Sequence, residues 1–145
     1  MRRVRPAVAA GLALWAVLLA PRFALGARPH RREAKAEVTV EAVVDSRPRE
    51  KTHQNGRRFE EMEIRILAVT EGADRIDVDT EGRVHVAHDL TCGGVWVPLS
   101  RGDKVELRGE YIATKGGRDV LHFTHPATGA CGVRGGHPDG YLRRR

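Results

Sequence analysis

Five histidines stand in settings where an imidazole can do chemistry: His53, His88, His122, His125 and His137. His88 is followed by Asp89, and His137 lies two residues before Asp139. Neutral imidazoles bind zinc, copper or nickel, and a nearby carboxylate can ligate the same ion or orient a ring. On that reading His88, His122, His125 and His137 are the ligands of a transition metal such as zinc, and an ion with an open position activates water for hydrolysis. A His–Asp pair also supports acid–base chemistry without a metal. The third use is structural, with the rings hydrogen-bonding backbone groups and fastening a glycine-rich tail to the body. Several other chemistries lack their signatures. There is no HExxH spacing and no serine nucleophile motif, and Lys115-Gly116-Gly117 has no following helix to make a phosphate loop.

The elements that must position these residues read as short strands. Val105, Leu107, Gly109 and Tyr111 alternate with Glu106, Arg108 and Glu110, the period-2 pattern of a half-buried strand. The turn 115–118 leads into a return strand, Asp119 to Thr124, which Pro126 stops because proline has no N–H for a ladder. Gly109 inside a strand points either to a kink or close backbone approach, as at a barrel corner, or to plain packing. His122 and His125 are three apart, so a regular pleat points them to opposite faces unless the chain turns at Pro126. Upstream, Val38 to Val44 and Phe59 to Val69 alternate, the second with Met62, Ile64, Ile66 and Ala68 inward. Residues 45–58 form a charged loop or strand extension. Val84, Val86 and His88 share a face of a strand over Arg83 to Leu90, and residues 91–101 are loop. Trp96 and Tyr111 either stack on a ligand or pack. From Pro126 onward glycine and proline leave no period, which predicts loop. About five strands and no helix predict an all-β chain, a small five-stranded OB-like barrel with a Gly-rich C-terminal loop tail.

Residues 1–26 have the form of a secretory signal peptide. Arg2, Arg3 and Arg5 precede an apolar run from Pro6 to Ala20, and Ala24-Leu25-Gly26 offers a cleavage site. That run is shorter than the roughly 20 residues a spanning helix needs. A basic arm over 27–36, a barrel domain with its tail over 37–142 and a basic C-terminus at 143–145 follow, so the chain is expected to be exported, periplasmic or secreted. The net charge of +6 comes from the ends. Between Glu33 and Leu142, 15 basic residues face 19 acidic ones. A phosphate-binding face concentrates positive charge on the folded surface, so nucleic acid is not an expected partner. The arms are expected to be solvated tails, the alternative being loose contact with anionic envelope components. Cys92 and Cys131 form an even pair, which in an exported protein predicts a disulfide.

Ala87-His88-Asp89, Gly102-Asp103, Gly109-Glu110-Tyr111, Lys115-Gly116-Gly117, His122-Phe123-Thr124-His125 and His137-Pro138-Asp139-Gly140-Tyr141 occur in that order. This series resembles a family of small exported bacterial proteins classed as a domain of unknown function. It covers roughly residues 85–141, and His53-Gln54 with Phe59 resembles the family's upstream His-Gln element. The resemblance implies an exported bacterial protein of shared fold and brings no established activity. Pro126-Ala127 stand where the family has a further His and Asp, Phe123 and Tyr141 stand in tryptophan positions, and the cysteines lie outside the pattern. The function expected is a binding or structural module with a histidine-bearing rim built from His53, His88, Asp89, His122, His125, His137 and Asp139. The alternative is a metal-dependent hydrolase.

Overall fold

The computed structural model describes residues 34–127 and 137–145. The expected leader, most of the expected basic arm and Cys131 lie outside the described residues. Seven strands form: β1 (Ala34–Val44), β2 (Arg49–Thr52), β3 (Arg58–Glu71), β4 (Val84–Asp89), β5 (Lys104–Ala113), β6 (Val120–His122) and β7 (Tyr141–Arg144). Five of them close a barrel in the order β1-β3-β4-β6-β5, with β5 returning to β1. Every neighbour pair is antiparallel except β4–β6. Counting barrel strands alone, the order is 1-2-3-5-4 and back to 1, the Greek-key arrangement of the OB fold. β2 extends the start of β3 as a hairpin, and β7 adds to β5.

Alternation explains the core. Val38, Val40, Ala42 and Val44 on β1 point inward against Met62, Ile64 and Ile66 on β3, and all seven are at most 3 % exposed. Each Val or Ile buried in this way contributes about 1.5–3 kcal/mol relative to exposure. The β1–β3 ladder shifts register between Thr39 and Val40 and between Glu41 and Ala42, where Thr70 and Leu67 are extra residues on β3. These bulges bend β3, while β1 pairs with β5 without a shift. Gly109 supplies the predicted close approach: a Cβ there would lie 2.3 Å from the carbonyl oxygen of His122. The β5–β6 ladder is therefore open only to glycine at this point. Tyr111 is fully buried, so it packs rather than stacks on a ligand. Its hydroxyl donates to Asp119 and accepts from the Asp79 N–H at 2.9 Å, while Asp119 also accepts from the Thr114 N–H at 2.8 Å.

Three expectations need correcting. The end of the chain is a strand, because Leu142 buries against the barrel and β7 pairs with Val105 to Arg108. Consequently Arg143, Arg144 and Arg145 are not a solvated tail; they pair with Glu106, Asp103 and Glu41 respectively. The basic arm also ends sooner than expected, since Ala34 to Ala36 already pair with β5. Ala68, expected inside, is exposed because the register shift between Glu41 and Ala42 flips the parity of β3 and sets Ala68 opposite Glu41.

Candidate functional site

Inward parity carries polar side chains to one end of the barrel. Residues 60, 62, 64 and 66 share the inner face of β3, and 84, 86 and 88 that of β4, so Glu60 and His88 meet as directly paired ladder residues. Both are buried. His88 Nε2 lies 3.1 Å from the Val95 carbonyl oxygen, which can only accept, so Nε2 carries the proton. Nδ1 then accepts from the Thr124 hydroxyl at 3.0 Å. Burial holds the His88 pKa below its ordinary value, in keeping with a neutral ring. Glu60 Oε2 accepts from the Val97 N–H at 3.0 Å, whereas Oε1 has no partner. Burial pushes this carboxyl up to about 7. His88 and Glu60 thus pin the two sides of one strap, Val95–Val97, whose Trp96 remains 42 % exposed.

Asp89, one residue on, is buried against Arg57, and its Oδ1 accepts from the Thr91 and Cys92 N–H groups at 2.8 and 3.1 Å. Arg57 Nη2 also contacts Cys92 Sγ at 3.1 Å. The remaining histidines come from the end of β6 and the start of the tail. The strand stops at His122, and Phe123 takes a positive φ of 55°. That left-handed residue, rather than Pro126, breaks the pleat, and the rings of His122 and His125 both border that of Phe123. The Phe123 ring stacks on His137 at 4.5 Å and 7°, and His125 meets His137 at 4.6 Å. Gly140 N–H donates to the His125 carbonyl at 3.0 Å, and Ala127 N–H to Asp139 at 2.7 Å. Burial lowers the pKa of His122 and of His125, helped in His122 by Arg57 and in His125 by His137.

His88, His122, His125 and His137 therefore gather, and much of their bonding fastens strap and tail to the barrel. His53 stands elsewhere, bonding Glu61 at 2.7 Å and packing its ring on Phe59. No group of three or more His, Cys, Asp or Glu among the described residues is arranged to hold a metal ion. Cys92 is buried, and its expected partner Cys131 lies outside the described residues. Arg57, Glu60 and the turn at Phe123 had not been singled out from sequence. Glu60 was legible, since it continues the inward series Met62, Ile64, Ile66.

A second feature lies on the outer face of β3 and β4. A groove of about 640 Å³ is bounded by the β1–β2 connection and β2 (Ser46, Arg47, Arg49, Lys51), floored by Glu61, Glu63 and His85, and closed by Arg118 from the β5–β6 turn. Its carboxylates are already neutralised. Glu61 binds Lys51 at 3.3 Å and His53, and lies 4.0 Å from His85; Glu63 binds Arg83 and Arg118. Burial alone would raise the Glu61 pKa, but the hydrogen bonds from His53 and Lys51 outweigh it and leave the group lowered. Arg47 and Arg49 are exposed and make no ion pair with any described residue.

Comparison with family models, with curated proteins and with solved structures finds no match to this chain.

Proposed function

We propose that this protein is an exported binding module that holds a segment of acidic polysaccharide in the groove on the outer face of β3 and β4. The observation that carries the reading is the pair Arg47 and Arg49, two cations without partners among the described residues, beside a floor whose carboxylates are neutralised. OB barrels take oligosaccharides and oligonucleotides on their second and third strands, between the loops after the first and fourth. The groove here has that placement, an analogy of fold and not of site. Its lining offers no Phe, Tyr or Trp ring and only the His85 imidazole, a poor platform for the stacking that single-stranded nucleic acid relies on. The leader peptide read from residues 1–26 supports a ligand met outside the cytoplasm.

The histidine-bearing end then serves as the joint that anchors strap and tail. The metal-dependent hydrolase needs more ligands than converge among the described residues. Affinity for fluorescently labelled polygalacturonate oligomers, compared with neutral dextran oligomers and a single-stranded DNA of equal length, tests the proposal. The acidic sugar is expected to bind best, to weaken steeply from 50 to 300 mM salt, and to lose roughly tenfold or more in affinity in the Arg47→Ala/Arg49→Ala variant, about 1.4 kcal/mol. Equal affinity of the variant, or preference for the neutral sugar, would sink it.

A further inference from the structure

We propose that Nε2 of His125 and Nε2 of His137 together form a site for a divalent transition-metal ion of the copper(II) or nickel(II) type. The site lies where the end of β6 meets the tail and is independent of the sugar groove.

The tautomers come first. His125 Nδ1 lies 3.0 Å from the Pro126 carbonyl oxygen, and His137 Nδ1 lies 2.8 Å from that of Pro138. A carbonyl only accepts, so each Nδ1 carries its ring's proton and each Nε2 presents a lone pair. This is how metal-binding histidines are commonly held, with the other ring N–H anchored on a backbone carbonyl. His125 is 1 % exposed, and its Nε2 has no hydrogen-bond partner. An imine nitrogen left bare in a buried setting forfeits the bond it had to water, a cost that a bound ion removes.

The ring geometry points to a class of ion. Phe123, His137 and His125 form a triangle of ring centres with sides 4.5, 4.6 and 6.2 Å. The angle at His137 is close to a right angle, so His125 approaches the side of the His137 ring and not the face opposite Phe123. An ion about 2.0 Å from each Nε2 stands about 3.2 Å from each ring centre. A centre separation of 4.6 Å then gives a nitrogen–metal–nitrogen angle of about 90°, narrower than the tetrahedral angle zinc prefers. Neighbouring positions of a tetragonal or square-planar ion meet at that angle, the geometry of copper(II) and nickel(II) with nitrogen and oxygen donors. With no third protein ligand from the described residues, water completes the shell and the ion exchanges readily. Half-buried His137 gives it a path in, and the stacked Phe123 holds that ring in place.

The test uses the full chain without a polyhistidine tag, titrated with copper(II) chloride and with nickel(II) sulfate. One ion per chain is expected, with an electron paramagnetic resonance spectrum of copper(II) split by two imidazole nitrogens. His137→Ala is expected to weaken binding at least tenfold, and His53→Ala, which makes none of these contacts, to leave it unchanged. His125→Gln is expected to match His137→Ala; if that buried variant does not fold, His137→Ala decides. Nitrogen-15 NMR of the metal-free protein is expected to show both rings protonated at Nδ1. Unchanged affinity in His137→Ala, a spectrum lacking two nitrogens, or protonation of either ring at Nε2 overturns the proposal.

Discussion

Replacing Glu60 by glutamine should remove a large part of the protein's dependence on pH. Glu60 is fully buried at the barrel end, with one oxygen on the Val97 N–H and the other unpartnered. Burial raises its pKa from 4.5 to about 7, so the folded state resists ionisation that the unfolded chain accepts freely. The sign follows from linkage. Stability from this group is full below about pH 4.5 and is lost as pH rises through about 7. At 1.36 kcal/mol per pH unit the loss reaches about 3 kcal/mol by pH 8. His88, His122 and His125 act in the opposite sense. Their pKa values are lowered, so their stabilisation is held above about pH 6.5 and falls as pH drops below it. These contributions are common to wild type and variant, so the difference between the two isolates Glu60. Urea unfolding at pH 4, 6 and 8 should show Glu60→Gln gaining about 3 kcal/mol relative to wild type between the lowest and highest pH. With a slope of about 1–3 kcal/mol per molar urea, the relative midpoint moves by roughly 1–3 M. Parallel stability curves across that range would refute the reasoning.

Gly109→Ala should cost about 2 kcal/mol or more, because its Cβ would meet the His122 carbonyl; a urea midpoint within error of wild type would contradict the close approach. Tyr111→Phe should cost about 1–3 kcal/mol by leaving the Asp79 N–H and the Asp119 carboxylate short of a partner, and a calorimetric melt without a fall would show that those bonds contribute nothing. We propose that Cys92 and Cys131 are bonded. Non-reducing peptide mapping should recover them as one cross-linked peptide, and reduction should lower stability by about 2–4 kcal/mol, whereas alkylation of both thiols in the unreduced protein would rule the bond out.

How far the sequence reached depended on whether local pattern or distant pairing set the outcome. Period-2 alternation was enough to find β1, β3, β4 and β5 and to turn Met62, Ile64 and Ile66 inward. The OB order followed from strand count and turn chemistry. The histidine end was half legible: His88 belongs inside by parity, but the placing of His122 and His125 about one ring hangs on a left-handed Phe123, and no residue type announces that for an aromatic. β7 was missed because Arg143-Arg144-Arg145 reads as a solvated run. Their carboxylate partners Glu106, Asp103 and Glu41 lie at least 37 residues away in the chain, beyond any local window. The groove was invisible for the same reason, since Arg47, His85 and Arg118 share a surface only once the barrel has closed.

Closure of the barrel has a kinetic consequence. β1 is completed by β5, with Ala34 opposite Ala113 and Val43 opposite Lys104. The parallel β4–β6 pair and the β5–β7 pair also wait for late segments of the chain. Loop-closure entropy must be met before such distant contacts form, so chains of this topology fold on the slow side, in milliseconds to seconds. β1, β3 and β4 can pair as a meander, but the barrel cannot close before the last strands have been made. On the export proposed above, that delay would leave the polypeptide unfolded long enough to be threaded across a membrane before the barrel closes.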